Sequence, residues 1–225
     1  ISFDEFGDPA KSKLVMKRGT ATNVIEEATL GGGSITGLLR FQNNDLSDAK
    51  NLLGRMAMAI GTTVNNQHKL GIDLNGAAGG DMFRVSALPD GLASTTNTGA
   101  ATVQVAIQTT PTSGASSLAA SSYVINFTGA AAGSITRESD GQTTIFAASQ
   151  ITVDGLTIAI TGAAAAGDRF LVSPFNDASS VFSTNFSSPK ALAMANPVAA
   201  SAGASNQGSL AMESLVARSV PAPAA

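Results

Sequence analysis

The sequence predicts an α+β fold, mostly β: one long amphipathic helix with a β-hairpin, followed by an antiparallel β-sandwich or partly closed barrel domain. Three observations carry this. Leu46, Ala49, Leu53, Met56, Ile60 and Val64 recur at alternating spacings of three and four, the repeat of one helical face. Beyond residue 100 the apolar period changes to two, as in half-buried strands. Asp154 and Gly155 sit between two alternating runs, and such a pair favours a tight hairpin because a type I′ turn needs two residues that tolerate positive φ.

In chain order, residues 13–17 and 23–26 are short extended segments around the turn former Gly19, which reads as a hairpin. Gly31, Gly32 and Gly33 form a glycine cluster. The helix follows over residues 45–70, with Asp45 placed to N-cap it, Asp48 in its first turn and Gly71 as terminator. Gly54 and Gly61 inside it each cost up to about 1 kcal/mol against Ala. With Ala57 and Ala59 they read as ordinary helix–sheet or helix–helix contacts. Val103, Val105 and Ile107 alternate with Thr102, Gln104 and Ala106, and Tyr123, Ile125 and Phe127 with Val124, Asn126 and Thr128. Residues 134–137 and 143–146 bracket Asp140 and Gly141, residues 151–153 and 156–160 bracket Asp154 and Gly155, and residues 169–173 close the series.

Composition narrows the function. At 225 residues and 44% hydrophobic content the chain is long enough for one core or two. Only 13% of residues are charged, the net charge is -3, and none of residues 91–136 is Asp, Glu, Lys or Arg. No basic face exists for nucleic acid. With no cysteine, disulfides and thiolate zinc sites are excluded. No apolar run reaches the roughly 18 to 20 residues of a membrane helix, and no signal peptide is recognisable. The absent starting Met and the Pro221 and Pro223 ending read as an internal piece of a longer protein. Residues 191–225 read as a connector towards a further outer domain or linker, with residues 209–218 as the start of another strand. In isolation the chain is expected to be monomeric.

Chemistry is hard to place. The one histidine, His68, falls in the last helical turn, where it suits exposed carbonyls better than general-base work, since no nucleophile or orienting partner accompanies it. Asp73, Asn75 and Asp81 resemble a calcium loop only superficially, because Ala78 and Arg84 stand where Gly and Glu belong. Gly31, Gly33 and Gly37 miss the dinucleotide spacing, and the segment from Gly7 to Lys11 and Ser12 lacks the glycine of a phosphate loop. Asn126 and Asn185 begin glycosylation patterns of a kind that arises often by chance. The sequence nominates no catalytic, cofactor-binding or metal-ligating residue, and no cofactor.

The run from Gly33, Ser34 and Gly37 to Leu39 and Phe41 is followed by Asp45-Leu46, Leu53-Gly54, Met56-Ala57, Val64-Asn65 and Gln67-His68. Then come Gly71, Asp73, Asn75-Gly76 and Gly80-Asp81-Met82-Phe83. In order and spacing this resembles the flagellar hook-associated protein 1 family. A second block, Val153-Asp154-Gly155-Leu156 with Gly162, Gly167-Asp168-Arg169-Phe170 and Pro174, is similar to that family's β domain. The resemblance covers roughly residues 20–195. It implies that residues 1–82 belong to a rod-like inner domain, and residues 83–190 to an outward-projecting antiparallel β domain. It also implies a structural role, joining hook to filament in a ring of axial subunits, and no enzyme. The implied partners are the hook protein, the second junction protein and copies of itself, outside the cell, after type III export without a cleaved signal peptide. The terminal helices through which such proteins polymerise have no counterpart in this sequence. The competing class is a surface adhesin or carbohydrate-binding β module, which would need the exposed aromatics or acidic metal cluster this chain lacks. A secreted hydrolase is weaker still.

Overall fold

The computed structural model describes residues 2–25, 27–108 and 117–195. The strand expected over residues 209–218 and the connector beyond 195 lie outside the described residues. In chain order the elements are β1 (Ser2–Phe3), β2 (Ser12–Arg18), β3 (Ala21–Ile25), α1 (Ser34–Arg40), a π-helical turn (Phe41–Asp45), α2 (Leu46–His68) and β4 (Phe83–Arg84). There follow β5 (Leu92–Ala93), β6 (Thr102–Ile107), β7 (Tyr123–Gly129), β8 (Ala132–Arg137) and β9 (Thr143–Phe146). The last are β10 (Gln150–Val153), β11 (Leu156–Thr161), β12 (Arg169–Val172), α3 (Ala178–Val181) and β13 (Ser183–Thr184). Two compact units result, Ile1–Ala59 with Ser86–Val181, and Ile60–Val85 with Phe182–Ala225, and the division falls within α2.

In the first unit the expected hairpin is present: β2 pairs with β3 from Leu14↔Ile25 to Arg18↔Ala21, closed at Gly19 with φ 65°. The helix starts earlier than the spacing predicts. Gly32 and Gly33, at φ 117° and 96°, turn the chain into α1 at Ser34, and the path stays helical through the π turn into α2. Asp45 therefore ends the π turn and caps nothing, so the N-cap reading is corrected. The glycine cluster is itself the helix entry, because Gly adopts those φ values without strain.

The contacts read at Gly54, Ala57 and Gly61 are present, but the large apolar face of the helix is not the buried one. Asn51, Gly54, Ala57 and Met58 are buried in the first unit, whereas Leu53 and Met56 face solvent. Residues 51, 54, 58, 61 and 65 form their own repeat of three and four, small or amide-bearing except for Met58. Gly54 explains the choice, since a Cβ there would overlap the Phe175 carbonyl oxygen. Close backbone approach selects the small-residue face and leaves the larger apolar one outside.

The β region forms two antiparallel sheets, β5-β12-β7-β8-β9 and β10-β11-β6. Alternation works as read: Val103 and Val105, then Tyr123, Ile125 and Phe127, then Leu156, Ile158 and Ile160 are buried. Phe127 meets Phe146 and Phe170 edge-on, with ring centroids 5.6 and 5.7 Å away. Asp154 and Gly155, at φ 47° and 75°, close the tight β10–β11 hairpin next to the Val153↔Leu156 pair. Asp140 and Gly141 close β8–β9 differently. Only Gly141 has positive φ, and the loop is longer, sealed by Arg137 N–H to Gln142 O at 2.9 Å and Gly141 N–H to Arg137 O at 2.9 Å. The β7–β8 hairpin, turning between Gly129 and Ala132, has no turn signal of its own.

In the second unit Gly61 faces Val85 and Phe182, where a Cβ would again collide. The short β4–β13 ladder pairs Phe83 with Thr184, and Phe83 stacks on Phe182 with centroids 4.9 Å apart.

Candidate functional site

The first feature that calls for a partner is a strip on the helix of the first unit. Leu38, Phe41, Leu53 and Met56 are 68%, 55%, 55% and 54% exposed. The π turn aligns them. Residues 38 and 53, like 41 and 56, are about fifteen residues apart, and three α turns of 3.6 residues plus one wider turn of roughly 4.4 span that distance. An uninterrupted α-helix would put each pair about 60° out of line. A row of large apolar side chains left in water marks an interaction surface.

The second feature, in the second unit, is the lock at the end of α2. Asn65, 3% exposed, donates from Nδ2 to Phe83 O and accepts the Phe83 N–H at Oδ1, both at 2.8 Å. Three residues on, His68 Nε2 accepts the Ala193 N–H at 2.8 Å. That leaves Nδ1 carrying the proton it gives Gly80 O at 2.7 Å. The ring thus joins two other backbone segments instead of serving its own helix's carbonyls. Gly71 and Gly79 have no room for a Cβ, the first against Ala193 O and the second against His68 O. Asp73 takes the Asn75 and Ala77 N–H groups at 2.8 and 2.9 Å, and the bond from Ala77 is the main reason its carboxyl stays below the usual range. Asp81 pairs instead with Lys69 at 2.7 Å, so Asp73 and Asp81 have separate partners.

The Asn65 clamp has counterparts in the first unit. Asn43 Nδ2 donates to Ser12 O and its Oδ1 accepts the Ser12 N–H, each at 2.9 Å. Asn97 does the same with Arg169, at 2.9 and 2.8 Å. Each side-chain amide stands in for a neighbouring strand's peptide. Asp168, 2% exposed, accepts from Thr98, Gly99 and Ala165 N–H at 2.9, 3.1 and 2.8 Å. These bonds, Thr98 and Ala165 foremost, lower its pKa. Asp154 Oδ2 receives Tyr123 Oη and Arg137 Nη1, both at 2.8 Å. Burial and that carboxylate push the Tyr123 phenol up, while the Arg137 fork and the Gln142 N–H pull Asp140 down to about 2. None of these roles is evident from the sequence. The one available signal is Asn51 and Asn65 lying in register with Gly54 and Gly61.

Among the described residues no group of three or more His, Cys, Asp or Glu side chains is arranged to hold a metal ion. Among them, too, no helix is long and apolar enough to cross a membrane. Asn126 lies within β7, its Oδ1 accepting from Arg169 Nε at 2.9 Å. Asn185 donates to Asp81 O at 3.1 Å.

Fold and surface define an α+β module whose long helix is locked at its end by the Asn65 amide and the His68 ring and exposes an apolar strip. The model of the flagellar hook-associated protein FlgK helical domain matches residues 1–83, and that of the flagellar hook-associated protein 1 D2-like domain matches residues 92–174. The chain belongs to the flagellar hook-associated protein 1 family. It is 37% identical over 175 residues to flagellar hook-associated protein 1 of Escherichia coli (strain K12), and 30% identical to that of Salmonella typhimurium. Each alignment covers 76% of this chain and 31% of the relative, so the chain spans about a third of their length. The solved structure of the flagellar hook junction protein FlgK from Burkholderia pseudomallei superposes with a TM-score of 0.74 at 28% identity, over 87% of this chain and 36% of that one.

Proposed function

We propose that the chain is part of a structural subunit that joins hook to filament in the bacterial flagellum, as one member of a ring of axial proteins and without catalysis. Residues 1–82 serve as part of the rod-like inner domain, residues 83–190 as the projecting β domain, and residues 191–225 as a connector. The subunit works outside the cell, after export without a cleaved signal peptide, against the hook protein, the second junction protein and its own copies. Dilute and alone, the chain is a monomer. The uncovered strip of Leu38, Phe41, Leu53 and Met56 carries this reading, because a family member exposing such a row has a contact surface ready for a neighbouring element.

The test is to place Leu53→Lys and Phe41→Lys in the full-length protein in a strain lacking the natural copy. The expected result is secreted protein, hooks without filaments and lost swimming. Normal filaments and swimming would overturn the proposal. Antibodies raised to the chain should label hook–filament junctions, and labelling of the whole surface with bare junctions would count equally against it.

A further inference from the structure

We infer that residues 4–12 act as a strap that fixes the angle between the helix of the first unit and its β sheets, so that the two turn as one body. The family models end and begin at residues 83 and 92, yet Ile1–Ala59 and Ser86–Val181 form one compact unit. Contacts must therefore cross that division. Those of the helix follow one line. Asn51 Nδ2 reaches Ser122 Oγ at 3.4 Å and Gly54 abuts the Phe175 backbone, two points one turn apart on the same face and roughly 4.5 Å apart along the axis. A body held along one line can rock about it. A further attachment away from the line stops the rocking.

The strap supplies that attachment. Asp4 Oδ1 accepts the Phe6 and Asp8 N–H groups at 3.0 and 2.9 Å, Asp8 Oδ1 accepts the Ala10 N–H at 2.8 Å, and Gly7 turns between them at φ 66°. Two aspartate turns in succession give the segment a shape of its own. At the helix it is held by the π turn, where Gln42 Nε2 donates to Ser12 Oγ at 3.1 Å beside the two Asn43 bonds to the Ser12 peptide. At the sheet it is held in three places. Glu5 O accepts the Thr95 N–H at 2.9 Å, Glu5 Oε1 takes Arg169 Nη1 at 2.7 Å with the guanidinium 5.6 Å from the Phe6 ring centroid, and Lys11 Nζ meets Glu138 Oε2 at 3.0 Å. Arg169 pairs with Asn126 and Arg137, next to Glu138, pairs with Tyr123, so these anchors lie at opposite ends of the β12–β7–β8 ladder. Exposed ion pairs are individually weak, and it is their spread that sets the angle.

The chain has no cysteine, so two spin labels can be placed cleanly in the purified chain, at Asp48→Cys, exposed on the helix, and Ile145→Cys, 85% exposed on β9. Double electron–electron resonance should give one narrow distance distribution. Glu5→Lys with Lys11→Glu sets like charges against Arg169 and Glu138 and should widen it at least about twofold, with unchanged far-ultraviolet circular dichroism. Adding Glu138→Lys restores an opposite charge to residue 11 and should recover part of the width. Asn43→Ala cuts the helix end of the strap and should widen the distribution by itself. Raising the salt from about 0.05 M to about 1 M, which screens the exposed pairs without any substitution, should widen it in the same direction. A broad distribution in the otherwise unaltered chain, or an unchanged width in the charge-reversed chain, in Asn43→Ala or at high salt, overturns the inference. Because the readout lies within the purified chain, that result would leave the proposed role at the junction standing.

Discussion

Replacing Asn65 with Ala removes both hydrogen bonds to Phe83, each 2.8 Å long, from a side chain only 3% exposed. Two neutral hydrogen bonds contribute about 0.5–1.5 kcal/mol each, and a buried group stripped of its partner costs about 1–3 kcal/mol. Phe83 is half-buried, so water reaches part of what is exposed. The loss should therefore be about 2–3 kcal/mol, or roughly 4–12 °C in Tm for a chain of this size. Asn65→Asp is the sharper variant. It keeps the acceptor for the Phe83 N–H but turns a carboxylate oxygen on the Phe83 carbonyl, so its penalty should exceed that of Ala at pH 7 and shrink once the carboxyl is protonated. Urea unfolding gives the global figure, and hydrogen exchange at the Phe83 amide gives the local one. If Asn65→Ala costs under about 0.5 kcal/mol and leaves Phe83 protection unchanged, the clamp is not a determinant of this fold.

Gly54→Ala should destabilise by about 1–3 kcal/mol through overpacking on the Phe175 backbone, although Ala is the better helix former by about 1 kcal/mol; thermal melting decides the sign. Asp168 has a folded pKa held below its unfolded value, so the unfolded chain takes up its proton first as pH falls. Its contribution is full above about pH 4 and is lost on acidification, and Asp168→Asn should be less stable at pH 7 with a flatter acid limb in urea titrations. Gly79→Ala should disturb the His68 carbonyl and speed amide exchange at Gly71, whose N–H donates to that carbonyl at 3.1 Å. An unchanged Gly71 exchange rate would refute that coupling. Tyr123→Phe removes one of two hydrogen bonds to Asp154 Oδ2 and should cost about 1 kcal/mol in urea unfolding, with the Arg137 pair retained.

The strands are legible because burial on one side of a sheet imposes the period of two directly on the sequence. Tyr123, Ile125 and Phe127 read inward, and Asp154-Gly155 reads as a turn, from local constraints alone. The β7–β8 connection does not, since the residues between Gly129 and Ala132 are of the same small, uncharged kind as those around them. The helix start is hidden for a related reason. Glycines at positive φ signal a sharp change of direction without specifying the next element, and Gly33 opens a helix as readily as it closes a strand.

The helix face departs from expectation because amphipathic periodicity locates an apolar stripe but not the surface that covers it. In a self-contained domain that stripe faces the core. Here small and amide-bearing residues do so in each unit: Gly54 admits the Phe175 backbone in the first, and in the second Gly61 admits the Val85 and Phe182 side chains and Asn65 satisfies the Phe83 peptide. A core built on glycine and amides buries little apolar area per turn, and a chain that selects it while leaving Leu38, Phe41, Leu53 and Met56 in water forgoes stabilisation within the monomer. That sacrifice makes physical sense if the large side chains are covered elsewhere. The apparent failure of the periodicity argument is thus the strongest structural support for assembly. Of the repeat between Leu46 and Val64, Ala49, Leu53, Met56 and Ile60 are exposed, so periodicity marks where the apolar face lies and not what covers it.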